Sequence, residues 1–243
     1  MNLILLKQVF YAMVLGLAIG SLSACGGSSS GGSSGGTGDA GNANGDATQV
    51  SGEGVTQVNA ALLQQNLVDV PLASLSADER DGLLFTREEE KLAFDVYTKL
   101  YEFYDTAIFT NIAAAEQTHT DSVKVLLDRY DLTDPVVQPS VVGVFTNPVL
   151  QQLYDDFVNE ASDLISALQV GARIEELDIR DIEAELTKVD NDDIRIVYEN
   201  LLKGSRNHLR SFYKTLQQNG GDYTPVFITQ EAFDGIVNSD MER

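Results

Sequence analysis

The chain has 243 residues, 43% of them hydrophobic, with 16 basic against 37 acidic residues and a formal charge of −21 at pH 7. That length supplies one or two domains with a buried core. The charge argues against a nucleic-acid partner, which demands a basic footprint, and against a helix lying on anionic lipid, while suiting the attraction of cations. With one Cys and two His in the chain, neither a disulfide framework nor a thiolate metal site can form within it, so an internal metal site must use Glu, Asp and His.

Residues 1–24 read as a signal peptide: Lys7 supplies the positive charge, and an apolar run follows from Val9 to Leu22, short for a membrane span. It ends in Leu22-Ser23-Ala24-Cys25, which resembles a bacterial lipobox, with Cys25 as the lipidated residue. Gly26 after the Cys points to an outer membrane in a host that has one, with the protein on its periplasmic side. From Gly26 to about Gly54 the chain is rich in Gly and Ser and poor in apolar residues. Such a segment cannot offset its ordering entropy, so residues 25–74 are expected to be a tether and a partly ordered approach to the folded part.

The folded domain is expected over residues 75–237, with 238–243 as a tail. Ser76-Ala77-Asp78-Glu79 and Thr86-Arg87-Glu88-Glu89 both carry the Ser/Thr-x-x-Glu capping pattern. The second is expected to start the first long helix, running to about Tyr104. A second helix runs from Ala107 or Thr110 to Tyr130, its inner side carrying Ile112, Ala115, Glu116, His119, Val123 and Leu126. After a connection holding Pro135, Pro139 and Gly143, Asn147-Pro148 opens a helix to about Asn159. Helical spacing resumes from Ser162 or Asp163 to about Val189, then from Ile194 to Gln218, stopping at Asn219-Gly220-Gly221. A last short helix is capped by Thr229. No convincing strand alternation is present. The fold expected is all-α, a four-helix bundle with a long connection between helices two and three and short flanking helices.

Glu116 and His119 are one helical turn apart and lie within the apolar stripe, where a carboxylate must be paired, protonated or bound to a cation. Glu-x-x-His is the unit with which four-helix carboxylate proteins hold iron or manganese. Other acids fall at inward positions: Glu90 in line with Ala93 and Tyr97, Glu175 between Gly171 and Asp178, and Glu176 beside Ala172 and Ile179. His208 falls in the row Val197, Leu201, Ser205, Phe212. Tyr97, Tyr101, Tyr104 and Tyr130 read as core or rim residues.

Glu90-Lys91-Leu92-Ala93-Phe94-Asp95-Val96-Tyr97 followed by Glu116-x-x-His119 resembles the first two helices of rubrerythrin-type proteins. Together with Ile174-Glu175-Glu176-Leu177-Asp178 and Gly204-Ser205-Arg206-Asn207-His208, the chain resembles a prokaryotic branch of the ferritin-like superfamily of uncharacterised function. The resemblance implies a ferritin-like bundle holding iron, as a di-iron pair, or manganese through Glu90, Glu116, His119, Glu175, Glu176 and His208. It departs from the superfamily at Ser205, where a second Glu-x-x-His would place a Glu; Glu175, Glu176 or Asp178 could supply that carboxylate. The activity expected is that of an oxidase, ferroxidase or peroxidase, with no catalytic residue assigned. The alternative is a non-catalytic metal-binding or structural protein with a degenerate site. Metal ions, the membrane through the anchor and a second copy in a homodimer are the partners expected, and nucleic acid is not.

Overall fold

A computed structural model describes residues 47–243. The signal segment, Cys25 and the tether up to residue 46 lie outside the described residues. The order is β1 (Thr48–Val50), β2 (Thr56–Val58), α1 (Ala60–Asn66), α2 (Ala77–Tyr104), α3 (Ala107–Arg129), α4 (Pro148–Glu160), α5 (Leu164–Leu186), α6 (Asp192–Gln218) and α7 (Gln230–Val237). The described part is thus an all-α helical bundle with one small β-ribbon.

Local chemistry accounts for the helix boundaries. Ser76 and Glu79 form a reciprocal capping box that starts α2 ten residues before Thr86, and Glu79 also accepts the Asp190 and Asn191 N–H groups at the α5–α6 turn. That long-range support makes Ser76 the true start. Thr86 lies buried inside α2, its hydroxyl on the Tyr198 hydroxyl at 3.4 Å. Asp105, at φ 47° in the left-handed region, lets the chain double back into α3 within two residues. Asn147 caps α4 ahead of Pro148, Asp163 caps α5 and Thr229 caps α7.

Packing builds two helix pairs, α2 with α3 and α5 with α6, joined where α2 meets α5 and α3 meets α6. α4 lies in the crossover and packs on α2 and α5. Tyr97, Phe109 and Phe212 meet in the core with ring centroids 5.0 and 6.0 Å apart. Buried polar contacts fasten the crossover. The Arg87 guanidinium reaches Asp134 and the Thr120 carbonyl, and Lys91, paired with Asp95, donates to the Val141 carbonyl.

The ordered part begins earlier than the composition suggests. Residues 48–58 form an antiparallel hairpin with Thr48 opposite Val58 and Val50 opposite Thr56. A capped helix, α1, follows it. The hairpin packs across α3 and α6. The Val58 N–H donates to the Thr118 hydroxyl at 2.9 Å, and the Ser211 hydroxyl donates to the Glu53 carbonyl at 2.7 Å. The tether expectation therefore fails from residue 47 to Gly54, because helix side chains stabilise a ribbon that three-residue strands could not sustain alone. No helix among the described residues is long and apolar enough to cross a membrane.

Candidate metal centre

Each of the four long helices brings an acid or an imidazole to one buried locus: Glu90 from α2, Glu116 and His119 from α3, Glu175 and Asp178 from α5, and His208 from α6. None is more than 1% exposed. Glu116 is central. Its Oε2 lies 2.8 Å from His119 Nδ1 and its Oε1 lies 2.7 Å from His208 Nδ1. Glu90 Oε2 stands 3.4 Å from His119 Nδ1, and Glu175 Oε2 stands 3.5 Å from His208 Nδ1. The two imidazoles stack 5.3 Å apart and 17° from parallel.

These atoms are close, yet they are not aligned as hydrogen bonds. Both oxygens of Glu90, Glu116 and Asp178, Glu175 Oε2 and both Nδ1 atoms are buried without a hydrogen-bond partner. Native interiors rarely leave such groups unpaired, because each costs on the order of 1–3 kcal/mol. Their convergence on shared points is what a cation satisfies. One ligand atom each from Glu116, His119 and His208 all lie within 4.8 Å of one another. The donor set, carboxylate oxygen with imidazole nitrogen and no thiolate, fits iron or manganese.

The protonation pattern follows the same crowding. Burial lifts Glu90 to about 7, and the Glu116 charge adds to this while His119 opposes it. Burial and the Glu116 charge lift Glu175 to about 7. Burial, then the charges of Glu90, Glu89, Glu175 and Glu116, push Asp178 well above the usual carboxylate range. Burial acts on Glu116 in the same direction, but the two imidazoles together outweigh it and hold Glu116 well below that range. Burial disfavours the charged form of His119, and Glu116 and Glu90 overcome that and raise it well above an ordinary histidine. For His208 burial likewise works downward, while Glu116 and Glu175 pull toward about 9. The Thr56 N–H, 3.1 Å from His208 Nε2, opposes that pull, since a second proton there would face a donor.

Orienting contacts surround the centre. The Tyr97 hydroxyl donates to Glu175 Oε1 at 2.7 Å and leaves Oε2 facing His208. Gly204 of α6 lies against the His119 ring so closely that a Cβ there would overlap Cε1 and Nε2. Ser205 turns its hydroxyl back to the Leu201 carbonyl and contributes no carboxylate. Asp178, one turn beyond Glu175 on the same face, stands nearest in kind to a replacement. A groove of about 430 Å³ runs between the hairpin and α3, lined by Gln49, Val50, Gln57, Asn111 and Ala114. None of the six buried residues lines it.

Glu176 does not join the group. Its carboxylate accepts the Tyr223 hydroxyl and the Val226, Phe227 and Ile228 N–H groups, holding the segment before α7. A 100° step per residue turns Glu175 inward and Glu176 toward that segment. Two contributors were not legible as site residues: Tyr97, expected only as core or rim, and the backbone of Thr56, which carries no side-chain signal. For Asp178 a signal existed in the Glu175-x-x-Asp178 spacing.

Comparison with known proteins gives relatives of most of the helical part. The family described as "Uncharacterized protein domain (DUF2202)" matches residues 79–240. The "Uncharacterized protein MJ0754" of Methanocaldococcus jannaschii is 49% identical over 175 residues, covering 72% of this chain and 94% of that protein. The crystal structure of that hypothetical protein superposes with a TM-score of 0.70 at 48% identity, covering 72% of this chain and 99% of the other. The matched family segment contains all six buried site residues, whereas the hairpin precedes it.

Proposed function

This chain belongs to the family described as "Uncharacterized protein domain (DUF2202)", and from the buried centre within the shared segment we propose that it is a metal-binding bundle of ferritin-like type. In this reading Glu90, Glu116, His119, Glu175, Asp178 and His208 would hold a pair of iron or manganese ions, and Glu116 lies between the two imidazoles. The observation that carries the reading is the set of buried carboxylate oxygens and Nδ1 atoms that converge without hydrogen-bond partners. Such a pair, when bound, supplies redox and Lewis-acid chemistry toward oxygen or peroxide. The chain's own residues then fix the ligands, exclude water and hold protons: Tyr97 orients Glu175, and Asp178 retains a proton until a cation displaces it. The lipobox-like Leu22–Cys25 adds an envelope location to the proposal.

A non-catalytic metal-holding role is the second reading. Ser205 favours it by removing one carboxylate, and so does the complete burial of the centre. Elemental analysis of the purified chain, reconstituted anaerobically with ferrous iron or Mn(II), tests the common part. About two ions per chain are expected from a carboxylate-bridged pair. The combined Glu116→Ala and His119→Ala substitutions should remove them, and unchanged metal content in that variant rejects the site. Oxygen consumption on adding ferrous iron then separates the redox reading from the non-catalytic one.

A further inference from the structure

Both imidazoles turn their far nitrogens to the backbone of the same residue, Thr56. The Thr56 carbonyl lies 3.1 Å from His119 Nε2, and the Thr56 N–H lies 3.1 Å from His208 Nε2. Thr56 can do this because it pairs opposite Val50 with its own N–H and carbonyl turned away from β1, toward α3 and α6. Its side chain is held as well. The hydroxyl donates to the Gly54 carbonyl at 3.3 Å and accepts from Asn207 Nδ2 at 2.9 Å. The residue is fully buried.

A carbonyl accepts and an N–H donates, so the two rings are held in opposite states. His119 must carry a hydrogen on Nε2, which makes Nδ1, facing Glu116 and Glu90, the nitrogen that gives a lone pair to a cation when its proton is displaced. His208 must present a bare Nε2 to the Thr56 N–H, so its hydrogen sits on Nδ1, the nitrogen that faces Glu116 and Glu175. An imidazole ligates through a lone pair, and the partner of its other nitrogen decides where that lone pair is. Resting on the metal-site reading above, we infer that the Thr56 backbone, donating to one ring and accepting from the other, makes the two metal positions unequal. The position bounded by His119, Glu90 and Glu116 is preformed. The position bounded by His208 and Glu175 opens only when the hairpin releases His208. Thr56 is thus a positioning residue for both rings, and it comes from a segment that precedes the family match.

The chain has two histidines, so ¹⁵N-histidine labelling of the metal-free chain yields two rings to assign. The expected spectrum, near neutral pH, shows one ring with a bare Nε2 and a hydrogen on Nδ1, assigned to His208 by its loss in His208→Gln. Titration with Mn(II) should give one tight site and a second weaker by roughly 10–100-fold, the usual weight of an outer-shell partner. Thr56→Pro deletes the N–H at the first position of a strand, where no ladder bond is lost, and should narrow that gap. Thr56→Val keeps the N–H, loses the hydroxyl and should leave the gap in place. Two equal sites in the native chain, or a His208 ring with its hydrogen on Nε2, overturn the inference whether or not Thr56→Pro folds. Absence of Mn(II) binding alongside the expected spectrum overturns the metal-site reading and this consequence of it, and identifies the former as the failed step.

Discussion

Glu88, Glu89 and Glu90 are consecutive, and each meets a different environment. Glu88 accepts the Thr146 and Asn147 N–H groups where α4 begins. Glu89 is buried beside Asp181 and Arg180, and burial followed by the Asp181 charge pushes it well above the usual carboxylate range. Glu90 faces His119. The 100° step of a helix separates them, and the same step separates Glu175 from Glu176. Periodicity placed Glu90, Glu175 and Glu176 near the interior, but it cannot say which neighbour fills the space opposite: Glu90 and Glu175 meet the two imidazoles, and Glu176 meets the segment before α7 instead. The distinction is testable. Glu176→Ala removes an acceptor shared by four donors and should destabilise the fold by on the order of 2–4 kcal/mol with metal content unchanged. Glu175→Ala should lower metal content, and melting curves of the metal-free forms separate the two. Gly204→Ala should act on the centre from the opposite side. Its Cβ would displace the His119 ring, weakening metal binding by roughly 10–100-fold while α6 persists by circular dichroism.

Helices announced themselves through caps and period, and the ribbon did not. Asn147-Pro148, Asp163 and Thr229 cap the helices that spacing predicted. The strands Thr48-Gln49-Val50 and Thr56-Gln57-Val58 are three residues each, too short for alternation to register, and they follow a Gly/Ser-rich stretch that masks them. Their stability comes from contacts remote in sequence, with Thr118, Asn207, His208 and Ser211, which no local pattern encodes. The start of α2 was misjudged for a related reason. Two capping patterns compete, and only the first is joined by the α5–α6 turn through Glu79. Ser76→Ala should therefore cost about 1 kcal/mol, the ordinary weight of a cap. Glu79→Ala also strands the Asp190 and Asn191 N–H groups and should cost roughly 2–3 kcal/mol. Urea midpoints of the two variants decide this, and equal losses would mean that Glu79 acts only within its own capping box.

At the scale of the whole molecule, the bundle stores acids in its centre and on its surface, and pH acts on the two differently. The folded metal-free chain holds protons on Glu90 and Glu175 up to about 7, where an unfolded Glu releases its proton near 4.5. Folding therefore binds protons between those values, and stability falls as pH rises through that window. His119, raised above its ordinary value of 6.5, continues the trend: its contribution is full below 6.5 and is lost as pH rises through its folded value. Glu116 runs the other way, its contribution present above 4.5 and lost as pH falls, so it does not offset the decline on the neutral side. The melting temperature of metal-free protein is accordingly expected to fall between pH 5 and pH 8. Metal reverses the sign, because a cation displaces those protons and binds the deprotonated ligands. The melting temperature gained on adding Mn(II) should be larger at pH 8 than at pH 5.5, and calorimetry in buffers of different ionisation enthalpy should record proton release on binding. The formal charge of −21 adds a repulsion that also grows with pH, but surface repulsion is screened by salt and the buried centre is screened much less. Repeating the scans in high salt separates the two. A pH slope that vanishes with salt assigns the decline to the surface, and one that persists until Glu90 and Glu175 are both changed to Gln assigns it to the centre.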